Sequence, residues 1–258
     1  MQRVLATLSY DGARFHGYQR QPQDRSVQGE VEKALATIHK TPSWPSTSSG
    51  RTDAGVHGIR QPVHFDTPLT IPEDRWPKAL NSLLPDDIYV HTCRHVPQSF
   101  HARYDAVGKE YIYRLSTSSD YNVFQRRYIC HTDRTLNMAA MQAAASQFIG
   151  THDFTSFSSP KTDVVDKVRT IYLIDIAKEG DDWTFRFIGS GFLYQMVRVL
   201  MGTLLEVGSG TRQWDEIETI MAAKNRALAG KTAPAHGLYL SQVFYDEQIL
   251  ADYVKKIQ

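Results

Sequence analysis

Residues 48–58 read SSGRTDAGVHG, and the fold class turns on the kind of element that the glycines of this loop lead into. A phosphate-cradling loop of a nucleotide-binding fold ends in Lys-Ser or Lys-Thr and opens a helix. Here the glycines lead instead into VHG and then RQPVHFD (60–66), which alternates like a strand. The loop therefore joins strand to strand. A metal site is equally weakly indicated, because His57 and His64 are seven apart with no cysteine or third histidine nearby. Two readings remain open: Asp53 caps a tight turn with Arg51 on the surface, or the loop holds the Asp53 carboxylate ready to react.

Upstream, RVLATLSY (3–10) has strand alternation, and DGARFHGYQRQPQDR (11–25) has loop composition. Ser26 suits a helix N-cap with Glu30 in the first turns, and Val27, Val31, Leu35 and Ile38 share one helical face. A short strand is expected near Pro45–Ser49. Pro62 suits an edge or a strand start better than a central strand. Trp76, Ala79, Leu80 and Leu83 give a second helical face ended by Pro85, and residues 87–95 read as a strand. The first hundred residues thus order as β-α-β-loop-β-α-β.

A second part begins near residue 106. In GKEYIYRLST (108–117), Tyr111, Tyr113 and Leu115 fall on one strand face. Residues 136–149 read as a helix with Gly150 as C-cap, and VRTIYLIDIAKEGDDWTFRFIGS (168–190) reads as a hairpin turning at Glu179–Asp182. An apolar helix over 191–207, a polar helix over 214–226 and a last strand GLYLSQVFYDE (237–247) complete the pattern. The division expected is 1–105 and 106–258, each α+β, with SSPKTDVVDK (158–167) as the mobile loop.

Three features bear on function. Arg198 lies in the middle of the apolar 191–207 segment, where a buried guanidinium calls for a carboxylate partner unless it snorkels outward. Two tyrosines on the KEYIY face are ordinary packing, or present a ring to a flat ligand with Lys109 beside it for a phosphate. Arg14, His16, Tyr18, Gln19 and Arg20 in the 11–25 loop suit phosphate contact and base stacking, or are a solvated loop.

The motifs YDGARFHGYQRQ (10–21), SVQGEVEKAL (26–35), SGRTDAGVHG (49–58), ALNSLLPDDIYV (79–90), SFHARYDAVGKEYIYR (99–114), GTHDFTSF (150–157), GFLYQMVRVLMGTLLEVG (191–208) and APAHGLYLSQVFY (233–245) run in an order that resembles the bacterial tRNA pseudouridine synthase A family. The resemblance extends from about residue 3 to residue 246. It implies two related α+β halves with mixed, mainly antiparallel sheets joined across a central cleft and helices on the outer face. It also implies a cytoplasmic homodimer that isomerises uridines 38–40 of the tRNA anticodon stem-loop without a cofactor. Carried over residue by residue, Asp53 is the nucleophile, Arg51 its substrate-handling neighbour, Tyr111 the substrate-binding tyrosine, and Arg198 the guanidinium that pairs with Asp53. Tyr113, Lys109, Arg14, Arg20, Gln19 and His57 complete the expected binding set, and the 48–58 glycines are expected to let the backbone approach the RNA. Two departures stand out: Tyr18 replaces a frequent tryptophan, and Pro62 replaces a usual β-branched residue.

Composition sets bounds around this reading. A formal net charge of +1 and 22% charged residues exclude a uniformly basic nucleic-acid binder and leave room for a local basic patch. The two cysteines, Cys93 and Cys130, match neither a metal-ligand spacing nor a disulfide framework, which points to a reducing compartment. The N-terminus has no signal-peptide pattern, and the apolar 191–208 stretch carries Arg198 and Glu206 and is too interrupted for a membrane span. Two rivals remain: an RNA-binding protein without catalysis, and a glycosidase-like hydrolase. The hydrolase would need a second carboxylate, for which Asp11, Asp105, Glu110 and Asp153 are the motif-borne candidates.

Overall fold

The computed structural model describes residues 1–162 and 164–258. Asp163, within the 158–167 segment expected to move, lies outside the described residues. The chain divides into two compact units, Met1–Ala106 with Tyr239–Tyr245, and Val107–Leu238 with Asp246–Gln258.

In the first unit, β1 (Gln2–Tyr10) alternates so that Val4, Ala6, Leu8 and Tyr10 are all buried. Helix α1 (Val27–His39) starts where the Ser26 hydroxyl accepts the Gly29 N–H at 3.3 Å and stops at Lys40, which turns to φ +54°. Short β2 (Thr47–Ser48) leads through the 49–56 loop into β3 (His57–Thr67). Helix α2 (Trp76–Asn81) is followed by β4 (Ile88–Val96). Asn81 brackets the backbone of Val90 with two hydrogen bonds of 2.8 and 2.9 Å, fixing α2 to β4. Val27, Val31 and Leu35 from α1, Trp76 and Leu80 from α2, and the inward residues of β1, β3 and β4 form one core. Each large side chain there is worth about 1.5–3 kcal/mol of burial. The expected α2 face includes Leu83, but the helix has ended by then and Leu83 is exposed.

Strand β3 extends further in both directions than residues 60–66 and pairs antiparallel with β1, Gln2 opposite Thr67 and Leu8 opposite Gln61. Pro62 lies in its interior, opposite Thr7, not at an edge or a start. Its carbonyl accepts the Ser49 N–H on the β2 side, so its missing N–H faces that same side. There β2 pairs only with Val63 and His64, so no ladder bond is lost at Pro62.

The second unit opens with β5 (Gly108–Ser116) and the short β6 (Cys130–His131), which runs parallel to it. Helix α3 (Met138–Ser146) ends at Gln147, and Gly150, at φ +107°, starts β7 (Gly150–Asp153) instead of capping the helix. The hairpin β8 (Val168–Glu179) and β9 (Asp182–Gly189) turns where expected. Its β9 lies against β5 with Tyr111 opposite Phe187 and Tyr113 opposite Phe185. Helix α4 (Met196–Gly208) and helix α5 (Glu216–Ala223) follow. Strand β10 (Leu238–Phe244) pairs parallel to β3 in the first unit through Tyr239–His57 and Leu240–Gly58. The first unit's strand order is therefore β4-β1-β3-β10, with β2 on β3; the second unit's is β5-β9-β8-β7, with β6 on β5.

A terminal helix that the strand reading of 237–247 does not anticipate, α6 (Glu247–Ile257), is capped by the Asp246 carboxylate on the Ile249 N–H at 2.9 Å. Leu250 is buried, and Tyr253, Val254 and Ile257 are half-buried along the same stripe. Its Tyr253 hydroxyl donates to Glu110 at 3.0 Å, and Glu110, 1% exposed, is ion-paired with Arg186 on β9 at 2.6 Å. Glu110 and Tyr111 thus point to opposite faces of β5.

His64 on β3 is buried, and its Nδ1 accepts the Ala102 N–H at 3.2 Å. Burial, reinforced by the Arg3 charge, pulls its pKa down from 6.5 to about 4. Above pH ~6.5 the ring is neutral folded or unfolded. Below it the unfolded chain takes the proton first, so stability is expected to fall as pH drops from 6.5 toward 4, by on the order of 3 kcal/mol at most. Denaturant titrations at pH 7 and pH 4.5 check this. His64→Asn, whose amide oxygen replaces the Nδ1 acceptor without titrating, is expected to lose less stability on acidification than the wild type.

Candidate active site

The 49–56 loop is pinned before it turns. Ser49 donates its N–H to Pro62 and accepts from the Gln61 amide at 2.8 Å, and the Ser48 hydroxyl donates to the Gly50 carbonyl at 2.9 Å. Thr52 is buried, its hydroxyl 2.8 Å from that of Tyr10 and its carbonyl accepting the Tyr18 N–H. Asp53 opens a tight turn closed by the Val56 N–H on the Asp53 carbonyl at 3.1 Å. Gly55 at φ +78° supplies the left-handed residue this turn requires. Asp53 itself is half-buried, and Arg51 two residues earlier is exposed.

The 11–18 segment packs against this loop. Gly17, at φ +96°, lies so close that a Cβ there would stand 2.9 Å from the Thr52 carbonyl oxygen. Gly55 returns a hydrogen bond to the Phe15 carbonyl. Gly17 and Gly55 thus bring two protein loops into close contact. His57, 2% exposed, joins the same assembly. Its Nδ1 accepts the Gly12 N–H at 3.0 Å and lies 3.2 Å from Asp11, and its ring stacks on Tyr239 at 4.6 Å.

Of the polar residues expected in the 11–25 loop, Arg14, Gln19 and Arg20 are exposed. Arg20 is tied by an ion pair of 3.2 Å to Glu32 of α1. Tyr18, expected in the exposed loop, is instead buried 6.1 Å from the ring of Tyr10. The tyrosine in place of the frequent tryptophan is thus a core residue.

In the second unit Tyr111 is 8% exposed and meets Phe192 edge to face at 5.3 Å. Tyr113, on the same face, is fully buried and donates its hydroxyl to the Pro234 carbonyl at 3.0 Å. Lys109 is half-buried at the head of the strand. Arg198 lies in the first turn of α4, not mid-helix, because residues 191–195 are not helical and Gln195 turns at φ +61°. The Arg198 Nε donates to the Ala233 carbonyl at 2.8 Å, and its own carbonyl accepts the Ala233 N–H, so the side chain is aimed by a bracket at its root.

The carboxylates a hydrolase would recruit as a second acid are engaged in the fold. Asp11 caps the 12–14 turn through the Ala13 N–H, Asp105 accepts the His101 N–H, and Glu110 is buried against Arg186. Asp153 is held at about 2 by its contacts with Lys224 and Thr155, far below the range of a general acid. Both cysteines are buried free thiols, and burial pushes Cys93 up to about 12. Among the described residues no cluster of three or more metal-capable side chains occurs, and no helix is long and apolar enough to cross a membrane.

A family model described as tRNA pseudouridine synthase matches residues 6–105 and 144–246, which include the Asp53 loop and Arg198. Over 246 residues the chain is 55% identical to a protein of Anoxybacillus flavithermus named tRNA pseudouridine synthase A, covering 95% of this chain and 100% of that one. Proteins of the same name from Bacillus pumilus and Bacillus subtilis are 56% and 54% identical over 245 residues, covering 95% of this chain and 99% of each. With the match running through both units and through the loop that carries Asp53, the chain belongs to the tRNA pseudouridine synthase family.

Proposed function

We propose that this isomerase converts uridines 38–40 of the tRNA anticodon stem-loop to pseudouridine with Asp53 as nucleophile. Membership of the family makes pseudouridine formation in tRNA the chain's reaction. The site assignment rests on one observation above the others: Asp53 is a half-buried carboxylate on a turn locked from both sides, by β3 and by the 11–18 segment. A nucleophile needs that fixity, because misplacement by about 1 Å costs on the order of a hundred-fold in rate.

The reaction breaks the uracil N1–ribose bond, turns the base and joins C5 to ribose C1′, with loss of the C5 proton. Asp53 forms the covalent intermediate that retains the substrate between the two bonds. Tyr111 handles the target uracil, and Arg198 is the guanidinium that serves the Asp53 carboxylate. Arg51, Lys109, Arg14, Gln19 and Arg20 contact the RNA backbone, whereas His57 and Tyr113 serve by holding loop and strand. The target base must leave its stack, which costs a few kcal/mol, roughly, and contacts made only in the complex offset this. The same reading has the protein act as a cytoplasmic homodimer.

Mapping of pseudouridine in unmodified tRNA after incubation with the protein tests the position assignment. Modification confined to the anticodon arm is expected; modification elsewhere overturns the assignment while leaving the chemistry intact. Sedimentation at micromolar concentration reads the dimer.

A further inference from the structure

The SFHARYD motif (99–105) builds a feature that the catalytic reading leaves unused. The N–H groups of all six residues from Phe100 to Asp105 are satisfied internally. Phe100 donates to Pro97, His101 to the Asp105 carboxylate, Ala102 to His64, Arg103 and Tyr104 both to the His101 Nδ1 at 3.1 and 3.2 Å, and Asp105 to the His101 carbonyl. The carbonyls are anchored as well, Phe100 by Arg3 at 2.7 Å and Ala102 by the Tyr245 hydroxyl at 2.8 Å. On this fixed loop Tyr104 is 75% exposed. The ring stacks on His101 at 4.2 Å and has the Arg103 guanidinium 5.8 Å from its centroid.

A ring so open contributes little to the core, yet the loop beneath it is over-determined. Such an aromatic platform, pre-oriented and with a cation beside it, is suited to stacking on a nucleobase while the guanidinium meets a phosphate. Arg94 of β4 is a second exposed cation, and its charge is felt at the Tyr245 hydroxyl that anchors the loop. The Asp105 carboxylate is occupied by the His101 N–H. A protein partner would be expected to cover a contiguous apolar patch; here one ring stands among charged side chains.

We infer that Tyr104 and Arg103 form a second RNA contact, in which Tyr104 stacks on a base of the tRNA substrate other than the uridine being isomerised. The inference rests on tRNA being the substrate and assigns a binding role that does not involve Asp53. The loop's seat on neutral His64 links it to the acid sensitivity described above.

The test compares wild type, Tyr104→Ala, Tyr104→Phe and Arg103→Gln by tRNA isomerisation kinetics and by direct tRNA binding. Loss of one base–aromatic stack is expected to raise KM and Kd for Tyr104→Ala about ten-fold. The kcat value and melting temperature should stay near wild type, and Tyr104→Phe, which keeps the stacking face, should retain wild-type affinity. Arg103→Gln is expected to lower the slope of log affinity against log salt by about 0.7–0.9, one phosphate contact. Unchanged affinity in Tyr104→Ala, or a Phe variant as weak as the Ala variant, overturns the stacking role. A Tyr104→Ala protein that binds tRNA normally but sediments as a smaller species would assign the ring to a second copy of this chain instead. A wild type that neither binds nor isomerises tRNA would overturn the substrate reading, and this inference with it.

Discussion

Replacing Asp53 by alanine is expected to lower the single-turnover rate of tRNA isomerisation by at least about a thousand-fold, because a covalent route cannot proceed without its nucleophile. Binding should survive the change. The turn that presents Asp53 is closed by backbone atoms, the Val56 N–H on the Asp53 carbonyl, and by the left-handed Gly55, neither of which uses the side chain. The flanking anchors at Ser49, Thr52 and Gly17 are likewise independent of the carboxylate. Asp53→Asn keeps the shape and loses the nucleophile, so it should match the alanine variant. Asp53→Glu keeps the carboxylate but shifts it by one methylene, and a misplacement of about 1 Å predicts a loss on the order of a hundred-fold. Rapid-mixing kinetics with excess enzyme, read beside the tRNA Kd, separate these cases. An alanine variant within ten-fold of wild type would remove Asp53 from the covalent role.

The second large effect is on stability. Glu110 is buried between Arg186 and the Tyr253 hydroxyl, with Asp175 4.0 Å from the same guanidinium. Truncating it to alanine leaves a partly buried guanidinium without its closest counter-charge, which costs about 3 kcal/mol. For a chain of this size that corresponds to a drop in Tm of roughly 6–12 °C. Tyr253→Phe removes only one neutral donor and should cost about 1 kcal/mol. Pairing Glu110→Leu with Arg186→Met, which removes both charges, should recover most of the loss. Calorimetry of the four proteins checks this order. Below its melting range Glu110→Ala should retain kcat, since Tyr111 faces the other side of β5; loss of kcat in a folded Glu110→Ala protein would put Glu110 in the chemistry.

Most of the first unit is legible in the sequence because its signals are local. Ser26 with the Val27–Val31–Leu35 spacing marks α1, and the strand after the 48–58 glycines marks the loop as a strand-to-strand connection. The start of α4 is not legible. The apolar run GFLYQM continues the helical spacing without a break, and the residue that ends the extended lead is Gln195 in a left-handed conformation that glutamine does not advertise. Helix α6 has local signals in Asp246 and the 250–253–254–257 spacing, but the strand pattern before it runs on to residue 247 and hides its cap. Pro62 misleads for the opposite reason. Its effect depends on which neighbour lies opposite its nitrogen, and strand order is a tertiary fact.

Within the site, residue type is a better guide to chemistry than to exposure. The GRTD loop reads as a reactive carboxylate or a capped turn, and in the fold Asp53 stands on a tight turn closed by the backbone bond from Val56 to Asp53. Polar composition in residues 11–25 suggests an exposed loop throughout, yet Tyr18 is core, and Gly12 of the same segment donates its N–H to the buried His57. Close loop-to-loop approach at Gly17, invisible in composition, decides which of these side chains face outward. The bracket between Arg198 and Ala233 spans 35 residues and has no local signature.

The most direct test of the central claim is the fate of tritium at uracil C5. Purified protein is incubated with unmodified tRNA tritiated at that carbon, and tritium in water, pseudouridine in the digested tRNA and free uracil are measured together. Tritium release equal to the pseudouridine formed, with no free uracil and no release by Asp53→Ala, is the predicted result. Labelled free uracil without tritium release would make the protein a hydrolase, and release that persists in Asp53→Ala would place the nucleophile outside this loop.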